Sequence, residues 1–288
     1  MGNNMENKIV MVTGATNGIG LESAKALAGM GATIVGVGRN PQKCADAAAQ
    51  ITRTTGNAKV EFLVADLSVQ AQVRQVAGTF QQKYDRLDVL LNNAGGYFAK
   101  REESAAGLEQ TWALNHLNYF LLTDLLLDRL QVAPAARVVN VSSMAHSGAR
   151  RINFEDVEFK SGYSGWAAYS HSKLANVMFT YELARRLQGS TVTANVLHPG
   201  FVATGFGHNN GGVLRSGMVA LQKLIAKKPE QGAATSVYLA SSPEVAGVTG
   251  KYFDNCKAKR SSGASYDVAA QQRLWELSAQ MVRAELVA

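Results

Sequence analysis

The chain has 288 residues, of which 47% are hydrophobic and 18% charged, a globular composition that excludes an intrinsically disordered chain. Its two cysteines, Cys44 and Cys256, lie far apart in the sequence, which excludes a disulfide-stapled scaffold and fits no metal-ligand spacing. The formal net charge is +7, but the lysines and arginines are scattered, so the charge favours attraction of an anionic cofactor over nucleic-acid binding.

Short apolar segments alternate with longer helical patterns along the whole chain. Strands are predicted at residues 8–13, 32–38, 59–64, 87–92, 137–142, 191–197 and near 250–253. Helices are predicted at residues 18–30, 41–54, 69–84, 108–130, 167–187, 231–240 and 268–283. This alternation predicts an α/β fold with a doubly wound parallel sheet, a Rossmann fold. We expect residues 1–288 to form a single dinucleotide-binding catalytic domain.

A glycine-rich turn follows the first strand and has the sequence Thr13-Gly14-Ala15-Thr16-Asn17-Gly18-Ile19-Gly20. Between a strand and a helix, such a turn lets the backbone approach a pyrophosphate, and the helix N-terminus offers free N–H groups. The alternative is a purely structural turn. The predicted pyrophosphate-binding residues are Gly14, Thr16, Asn17, Gly18, Ile19 and Gly20.

The ends of the next two strands bear on the choice of cofactor. Arg39 and Asn40 stand where NAD-binding folds carry an acidic residue. The Arg39 guanidinium can pair with a 2′-phosphate, which favours NADP(H), although a solvated arginine is the alternative. Asp66 either accepts a hydrogen bond from the adenine amine or caps the helix that begins near Val69.

The predicted helix 108–130 is apolar on more than one face. Either it is buried on all sides within its own domain, or it packs against another subunit of a homo-oligomer. Asn115 lies in this apolar setting, and a buried amide needs partners. It therefore makes a structural hydrogen bond or has a role beneath the site.

Two later segments carry candidate catalytic groups. Ser142 and Ser143 end the fifth strand, where a hydroxyl can donate to a substrate carbonyl or simply satisfy the strand end. Tyr169 and Lys173 are four residues apart, a spacing that places both on one helix face but also occurs by chance. A phenol with a pKa near 10 needs help to exchange protons at neutral pH. A nearby ammonium group and a positively charged nicotinamide ring lower the pKa of the phenol by stabilising the phenolate. Lowering it by about 3 units takes about 4 kcal/mol of such stabilisation.

Together these motifs resemble the short-chain dehydrogenase/reductase family over essentially the whole chain. In the expected order, the motifs are residues 13–20, Asn92-Asn93-Ala94-Gly95, Asn115, Ser143, Tyr169 with Lys173, and Pro199-Gly200. Within the family, residues 141–146, 171–187, 197–200 and 250–256 resemble the retinol dehydrogenase-like branch.

The resemblance implies a role for each matching residue. It implies that Tyr169 is the general acid/base, that Lys173 lowers its pKa and bonds the nicotinamide ribose, and that Ser143 polarises the carbonyl. Asn115 is implied to hold a water that links Lys173 to solvent. The predicted cofactor site comprises the six residues of the glycine turn with Arg39, Asn40, Asp66, Leu67, Asn93, Ala94, Gly95, Tyr169, Lys173, Pro199, Gly200, Val202 and Thr204.

The sequence thus predicts an NADP(H)-dependent oxidoreductase that interconverts a carbonyl and an alcohol by hydride transfer. The alternatives are a non-catalytic NADP(H)-binding sensor or scaffold and a C=C reductase on the same fold. Two irregular segments, 145–165 and 201–230, are candidates for substrate contact. Apolar residues in the second indicate a substrate loop and a lipophilic small-molecule substrate, although surface-helix packing explains them nearly as well.

The sequence also bears on location. No segment reaches the roughly 18 apolar residues of a membrane helix, and the polar N-terminus lacks the apolar core of a signal peptide. Many eukaryotic members of the retinol dehydrogenase-like branch carry an N-terminal membrane anchor, which this sequence does not show. We therefore expect a cytoplasmic protein without a membrane span and without nucleic-acid partners.

Overall fold

The computed structural model describes residues 5–200 and 228–284. Val202, Thr204 and most of the predicted substrate loop 201–230 lie outside the described residues. In the described part of the chain, none of the helices combines the length and apolar character needed to cross a membrane.

Eight strands form one sheet in the order β3-β2-β1-β4-β5-β6-β7-β8. Their bounds are β1 Ile9–Thr13, β2 Thr33–Gly38, β3 Val60–Val64, β4 Val89–Asn92, β5 Ala136–Val141, β6 Val192–His198, β7 Tyr252–Asp254 and β8 Lys257–Lys259. All neighbours are parallel except β7 and β8. The predicted doubly wound sheet is confirmed, and β1 to β7 lie within two residues of their predicted bounds. The exposed strand β8 was not predicted because its three residues carry no apolar pattern.

Nine helices are described. They are α1 Gly18–Gly29, α2 Pro41–Thr55, α3 Gln70–Lys83, α4 Gln110–Trp112, α5 Asn118–Leu125, α6 Leu127–Val132, α7 Gly165–Arg186, α8 Pro229–Ser241 and α9 Val268–Ala284. Short 3-10 segments lie at Met144–Gly148, Pro243–Val245 and Gly263–Tyr266.

The prediction of one continuous helix over residues 108–130 was wrong. The segment divides into α4, a π-helical turn at Ala113–Leu117, α5 and α6, with Leu126 between the last two at φ −100° and ψ 5°. The Glu109 carboxylate fixes the start of α4 because it accepts hydrogen bonds from the N–H groups of Thr111 and Trp112. Apolar periodicity does not register such breaks, because most apolar side chains of the segment stay buried across them.

The core forms on both sides of the sheet because successive strand residues point to opposite faces. Met11 packs with the side chains of α3, α5, α7 and α9, whereas Val10 and Val12 pack with those of α1, α2 and α8. Phe120 of α5 lies 4.9 Å from Trp275 of α9, measured between ring centroids. The same chain thus covers the second apolar face of this helix, which favours the intrachain interpretation.

The sheet order determines where a ligand can bind. β1 lies between β2 and β4, so the chain winds outwards in opposite directions from the β1–β4 boundary. In open α/β sheets, ligands occupy the crevice beyond the carboxyl ends of the strands at such a switch point. The turns that follow β1, β2, β4, β5 and β6 all reach this edge.

Candidate active site

A cavity of about 410 Å³ opens at this edge of the sheet. Its volume falls within the range of small-molecule and cofactor pockets. Most of the predicted site residues line it, namely Gly14, Thr16, Asn17, Gly18, Ile19, Gly20, Arg39, Asp66, Leu67, Asn93, Ala94, Gly95, Ser143, Tyr169, Lys173, Pro199 and Gly200. The fold therefore brings the glycine turn and the candidate catalytic groups into one crevice.

The glycine turn is held against the end of β4. Thr13 Oγ1 accepts hydrogen bonds from the N–H groups of Asn93 and Ala94, and Asn93 Nδ2 donates to the Thr13 carbonyl. A Cβ atom at Gly20 would lie only 2.2 Å from the Gly14 carbonyl oxygen, so α1 packs too closely on the turn for any side chain there. The turn is compact because these positions are glycines.

The N-terminus of α1 faces the cavity without a side-chain cap, since Asn17 makes no capping hydrogen bond. The first N–H groups of a helix have no partner within the helix, and they carry the positive end of its dipole. This arrangement suits a pyrophosphate, which presents several anionic oxygens to such groups.

At the far end of the cavity, Arg39 is exposed directly after β2. Asn40 lies outside the cavity lining, and its side chain caps α2 by accepting from the Lys43 N–H at 2.9 Å. Asp66 Oδ1 accepts from the N–H and hydroxyl of Ser68. Among the described contacts, α3 starts at its N-cap Val69 without a side-chain capping bond, so Asp66 does not cap that helix.

Three candidate catalytic groups converge at the centre of the cavity. The Ser143 hydroxyl is hydrogen-bonded to the Tyr169 phenol. The Lys173 ammonium Nζ lies 5.8 Å from the centroid of the Tyr169 ring and donates to the Val141 carbonyl at 3.1 Å. Tyr169 and Lys173 are buried, whereas Ser143 is half-buried.

Contacts at both ends of the Tyr169–Lys173 segment hold α7 in place. A Cβ atom at Gly165 would lie 2.4 Å from the Phe98 carbonyl oxygen, so the first turn of α7 touches the loop after β4. Ser142 Oγ donates to the Lys173 carbonyl at 2.8 Å. The two serines therefore have different environments: Ser142 joins β5 to α7, and Ser143 bonds the phenol.

Burial is the main influence on both ionisable groups. It raises the pKa of Tyr169 to about 12, although the hydrogen bond from Ser143 acts in the opposite direction. Burial also lowers the pKa of Lys173 to about 7, because the charged ammonium loses its hydration. The phenol is therefore a protonated, potential proton donor at neutral pH.

Asn115 lies in the π-helical turn, just behind the cavity wall. Its Oδ1 accepts from the Gly96 N–H, while Nδ2 donates to the Gly96 carbonyl and to Ser172 Oγ. Its backbone carbonyl accepts from Asn176 Nδ2. The structure thus supports the expected structural role, and the water-holding role implied by the resemblance stays a prediction.

Sequence reasoning missed the apolar rim of the cavity. Met144 and Trp166 are 64% and 56% exposed, yet both line the cavity beside Tyr169. The Trp166 and Tyr169 rings lie 6.2 Å apart between centroids, and Tyr97 packs edge-on against Tyr169 at 6.0 Å. Met144 and Trp166 flank the irregular segment 145–165, and their position outside any periodic pattern was the signal available in the sequence.

Comparisons with known proteins agree with this geometry. A family model described as short chain dehydrogenase matches residues 8–212. Human polyprenol dehydrogenase is 41% identical over 281 residues, which cover 96% of this chain and 85% of that protein. Human retinol dehydrogenase 13 is also 41% identical, over 283 residues with the same coverage.

Solved structures show the same architecture. An uncharacterized protein from Mycobacterium Paratuberculosis superposes with a TM-score of 0.77 and 34% identity, covering 97% of this chain and 94% of that one. A short chain dehydrogenase from Shigella flexneri, complexed with NADP, has a TM-score of 0.69 and 26% identity and covers 89% of this chain and 100% of that one.

Proposed function

The chain is a retinol dehydrogenase-like member of the short-chain dehydrogenase family, which is a family of oxidoreductases, and we propose that it is an NADP(H)-dependent enzyme that interconverts a carbonyl and an alcohol. The observation that carries the proposal is the convergence of Ser143, Tyr169 and Lys173 in the cavity that also contains the glycine turn. A proton-exchanging group beside a dinucleotide cradle is what such a reaction requires.

The chain's residues fit a nicotinamide dinucleotide. The uncapped N-terminus of α1 is suited to the pyrophosphate, and the glycine turn allows close approach of the backbone. Arg39 would hold the 2′-phosphate of NADP(H) by charge-assisted hydrogen bonds. The chemistry that a nicotinamide held there would supply is hydride transfer to the carbonyl carbon, or from the alcohol in the reverse direction. The Shigella flexneri relative complexed with NADP supports the choice of phosphate-bearing cofactor.

Tyr169 and Ser143 act on the reacting oxygen. In the reductive direction, the Tyr169 phenol gives its proton to the oxygen as negative charge develops there. The Ser143 hydroxyl donates a hydrogen bond to the same oxygen and stabilises that charge. In its protonated form Lys173, with Nζ 5.8 Å from the centroid of the Tyr169 ring, favours the phenolate that remains.

The cavity rim supports a lipophilic substrate. Met144 and Trp166 expose large apolar surfaces in the cavity that contains Tyr169. The Tyr97 ring packs edge-on against the Tyr169 ring. Apolar surface at a binding site gains free energy when a hydrophobic ligand covers it. The names of the two human relatives, a polyprenol and a retinol dehydrogenase, are consistent with this class.

The test is a panel of retinal, long-chain aldehydes and aromatic ketones, read by NADPH absorbance. We expect wild-type turnover on at least one of them and a loss of nearly all turnover in Tyr169→Phe, with NADPH binding retained. Tyr181→Phe, on the same helix, is the matched control and keeps its activity. Full turnover in Tyr169→Phe would remove this residue from the mechanism.

The same assay separates the alternatives. NADPH binding without turnover on any carbonyl would indicate a sensor or scaffold. Consumption of NADPH on an unsaturated carbonyl, with a saturated carbonyl as product, would indicate a C=C reductase. Formation of the alcohol supports the proposal.

A further inference from the structure

We propose that His146 is a positioning residue that holds the Ser143 hydroxyl in its productive orientation towards Tyr169. This inference rests on the proposed function. His146 lies in the 3-10 turn Met144–Gly148, whose N-cap is Ser143. Its role is exerted through Ser143, because its own bonds are to backbone groups.

The Ser143 carbonyl receives two hydrogen bonds from the same residue. The His146 backbone N–H donates to it at 3.1 Å, and the ring atom Nδ1 lies 2.7 Å from it. Two donors on one carbonyl restrict the φ and ψ rotations of the adjoining backbone, which are its only soft torsions. The turn that carries the Ser143 side chain is thereby fixed at its first residue.

The other ring nitrogen of His146 determines its tautomer. Nε2 lies 3.1 Å from the Ser262 backbone nitrogen, which can only donate. Nε2 is therefore the acceptor, and Nδ1 carries the proton that binds the Ser143 carbonyl. Burial, the main cause, lowers the pKa of His146, and this favours the neutral ring.

The hydroxyl of Ser143 is oriented by the same turn. Ser143 Oγ accepts from the Ala145 N–H at 3.2 Å. With its oxygen engaged in this way, the hydroxyl has its proton available for Tyr169. The bond to Tyr169 lowers the phenol's pKa, as expected for a donor that stabilises the phenolate.

Aromatic packing also holds the His146 ring. The ring lies 5.0 Å from that of Tyr252 on β7, and Tyr252 stacks on His198 at 6.0 Å. His198 Nδ1 in turn accepts from the N–H of Gly200, which lines the cavity. His146 therefore couples the Ser143 turn to two other parts of the fold, the Ser262 segment and the end of β6.

Two substitutions test the hydrogen bonds of the two ring nitrogens separately. In His146→Asn, the amide nitrogen takes the position of Nδ1 and keeps the bond to the Ser143 carbonyl. In His146→Gln, the amide oxygen takes the position of Nε2 and keeps, of the two side-chain bonds, only that from Ser262. We expect His146→Gln to lower kcat by about 10-fold or more, because small displacements of a reacting group have large effects on rate. We expect His146→Asn to stay within about threefold of wild type.

The Ser143→Ala background tests whether the effect passes through Ser143. There, His146→Gln should cause no further loss of kcat, and the KM for NADPH should stay within about twofold in all variants. Equal losses of kcat with and without Ser143, or a larger loss in His146→Asn than in His146→Gln, would overturn the inference. Absence of wild-type turnover would overturn the proposed function itself, and the inference with it.

Discussion

Asn115 and Gly96 form a reciprocal hydrogen-bonded pair across 19 residues of sequence. Asn115 Oδ1 accepts from the Gly96 N–H at 2.8 Å, and Nδ2 donates to the Gly96 carbonyl at 3.0 Å. This pair holds the loop after β4 against the π-helical turn, and Asn115 Nδ2 also joins that turn to Ser172 of α7. A Cβ atom at Gly95 would lie 3.1 Å from Asn115 Oδ1 and 3.4 Å from Lys173 Nζ.

Asn115→Ala should lower both stability and activity. It leaves the buried polar groups of Gly96 without their partner, at a cost of about 1–3 kcal/mol per group. Urea denaturation and kcat/KM are the measurements. Asn57→Ala is the control, because Asn57 bonds the Ala28 and Ala32 carbonyls far from the cavity. It should lower stability only, and equal effects of the two variants on kcat/KM would contradict the role of Asn115.

Ser143→Ala should lower kcat by about 100-fold, as expected for the loss of one hydrogen-bond donor to a developing oxyanion. It should also shift the pH profile of alcohol oxidation. The Ser143 hydrogen bond lowers the pKa of Tyr169, so its removal raises that pKa and moves the ionisation limb to higher pH. Ser142→Ala, which removes only the bond to the Lys173 carbonyl, should leave the limb in place. A limb that moves to lower pH in Ser143→Ala would be inconsistent with this assignment.

Arg39→Ala should weaken NADPH binding by about 10- to 100-fold, which corresponds to the loss of charge-assisted hydrogen bonds worth about 1.5–3 kcal/mol. NADH binding should change little, because NADH has no 2′-phosphate. Arg53→Ala removes the same charge from the last turn of α2 and serves as the control. Fluorescence titration with both cofactors measures the two affinities. Equal losses of affinity for NADPH and NADH would show that Arg39 does not recognise the 2′-phosphate.

Gly20→Ala and Gly29→Ala alter the two ends of the same helix with opposite expected results. At Gly20 a methyl group would lie 2.2 Å from the Gly14 carbonyl oxygen, so the turn must shift and cofactor binding should fall by at least about 10-fold. At Gly29 the nearest atom is a Thr55 methyl carbon at 3.8 Å. This variant should be neutral or more stable by about 0.5 kcal/mol, since alanine favours helix. Unchanged NADPH affinity in Gly20→Ala would show that the turn is not part of the cradle.

His116 should make the fold sensitive to acid. Burial lowers its pKa to about 3, while the unfolded chain keeps the ordinary value of 6.5. The unfolded chain therefore takes up a proton first as the pH falls, and stability decreases below pH 6.5. The decrease by pH 5 is about 2 kcal/mol for this group. Chemical denaturation at pH 7 and pH 5 should show a smaller loss in His116→Gln than in wild type, and an identical loss would refute this source of sensitivity.

Local patterns in the sequence were sufficient for the sheet and for the main motifs. β1 and β2 follow from nearly continuous apolar runs bounded by turn residues, because a strand covered on both faces mostly excludes polar side chains. The Tyr169–Lys173 spacing places both groups on one helix face. The glycine turn similarly follows from three glycines between a strand and a helix.

Contacts between distant segments had no such local signal. The π-helical turn that interrupts residues 108–130 places Asn115 against Gly96 and Ser172, which are 19 and 57 residues away. The strand β8 forms by pairing with β7 rather than by its own apolar character. Neither feature is encoded in the periodicity of the segment that shows it.

The sequence alone determined the order of the elements and the chemical groups available at the sheet edge, because strand and helix periodicity and glycine placement are local properties. Only the tertiary structure decided which serine bonds the phenol, where His146 donates, and the direction of each pKa. In the structure burial raises the pKa of Tyr169, whereas the lowering expected from the sequence depends on the Lys173 charge and on a bound nicotinamide. Burial depends on side chains brought together from the whole chain, and so does the energy of an ionised group within it.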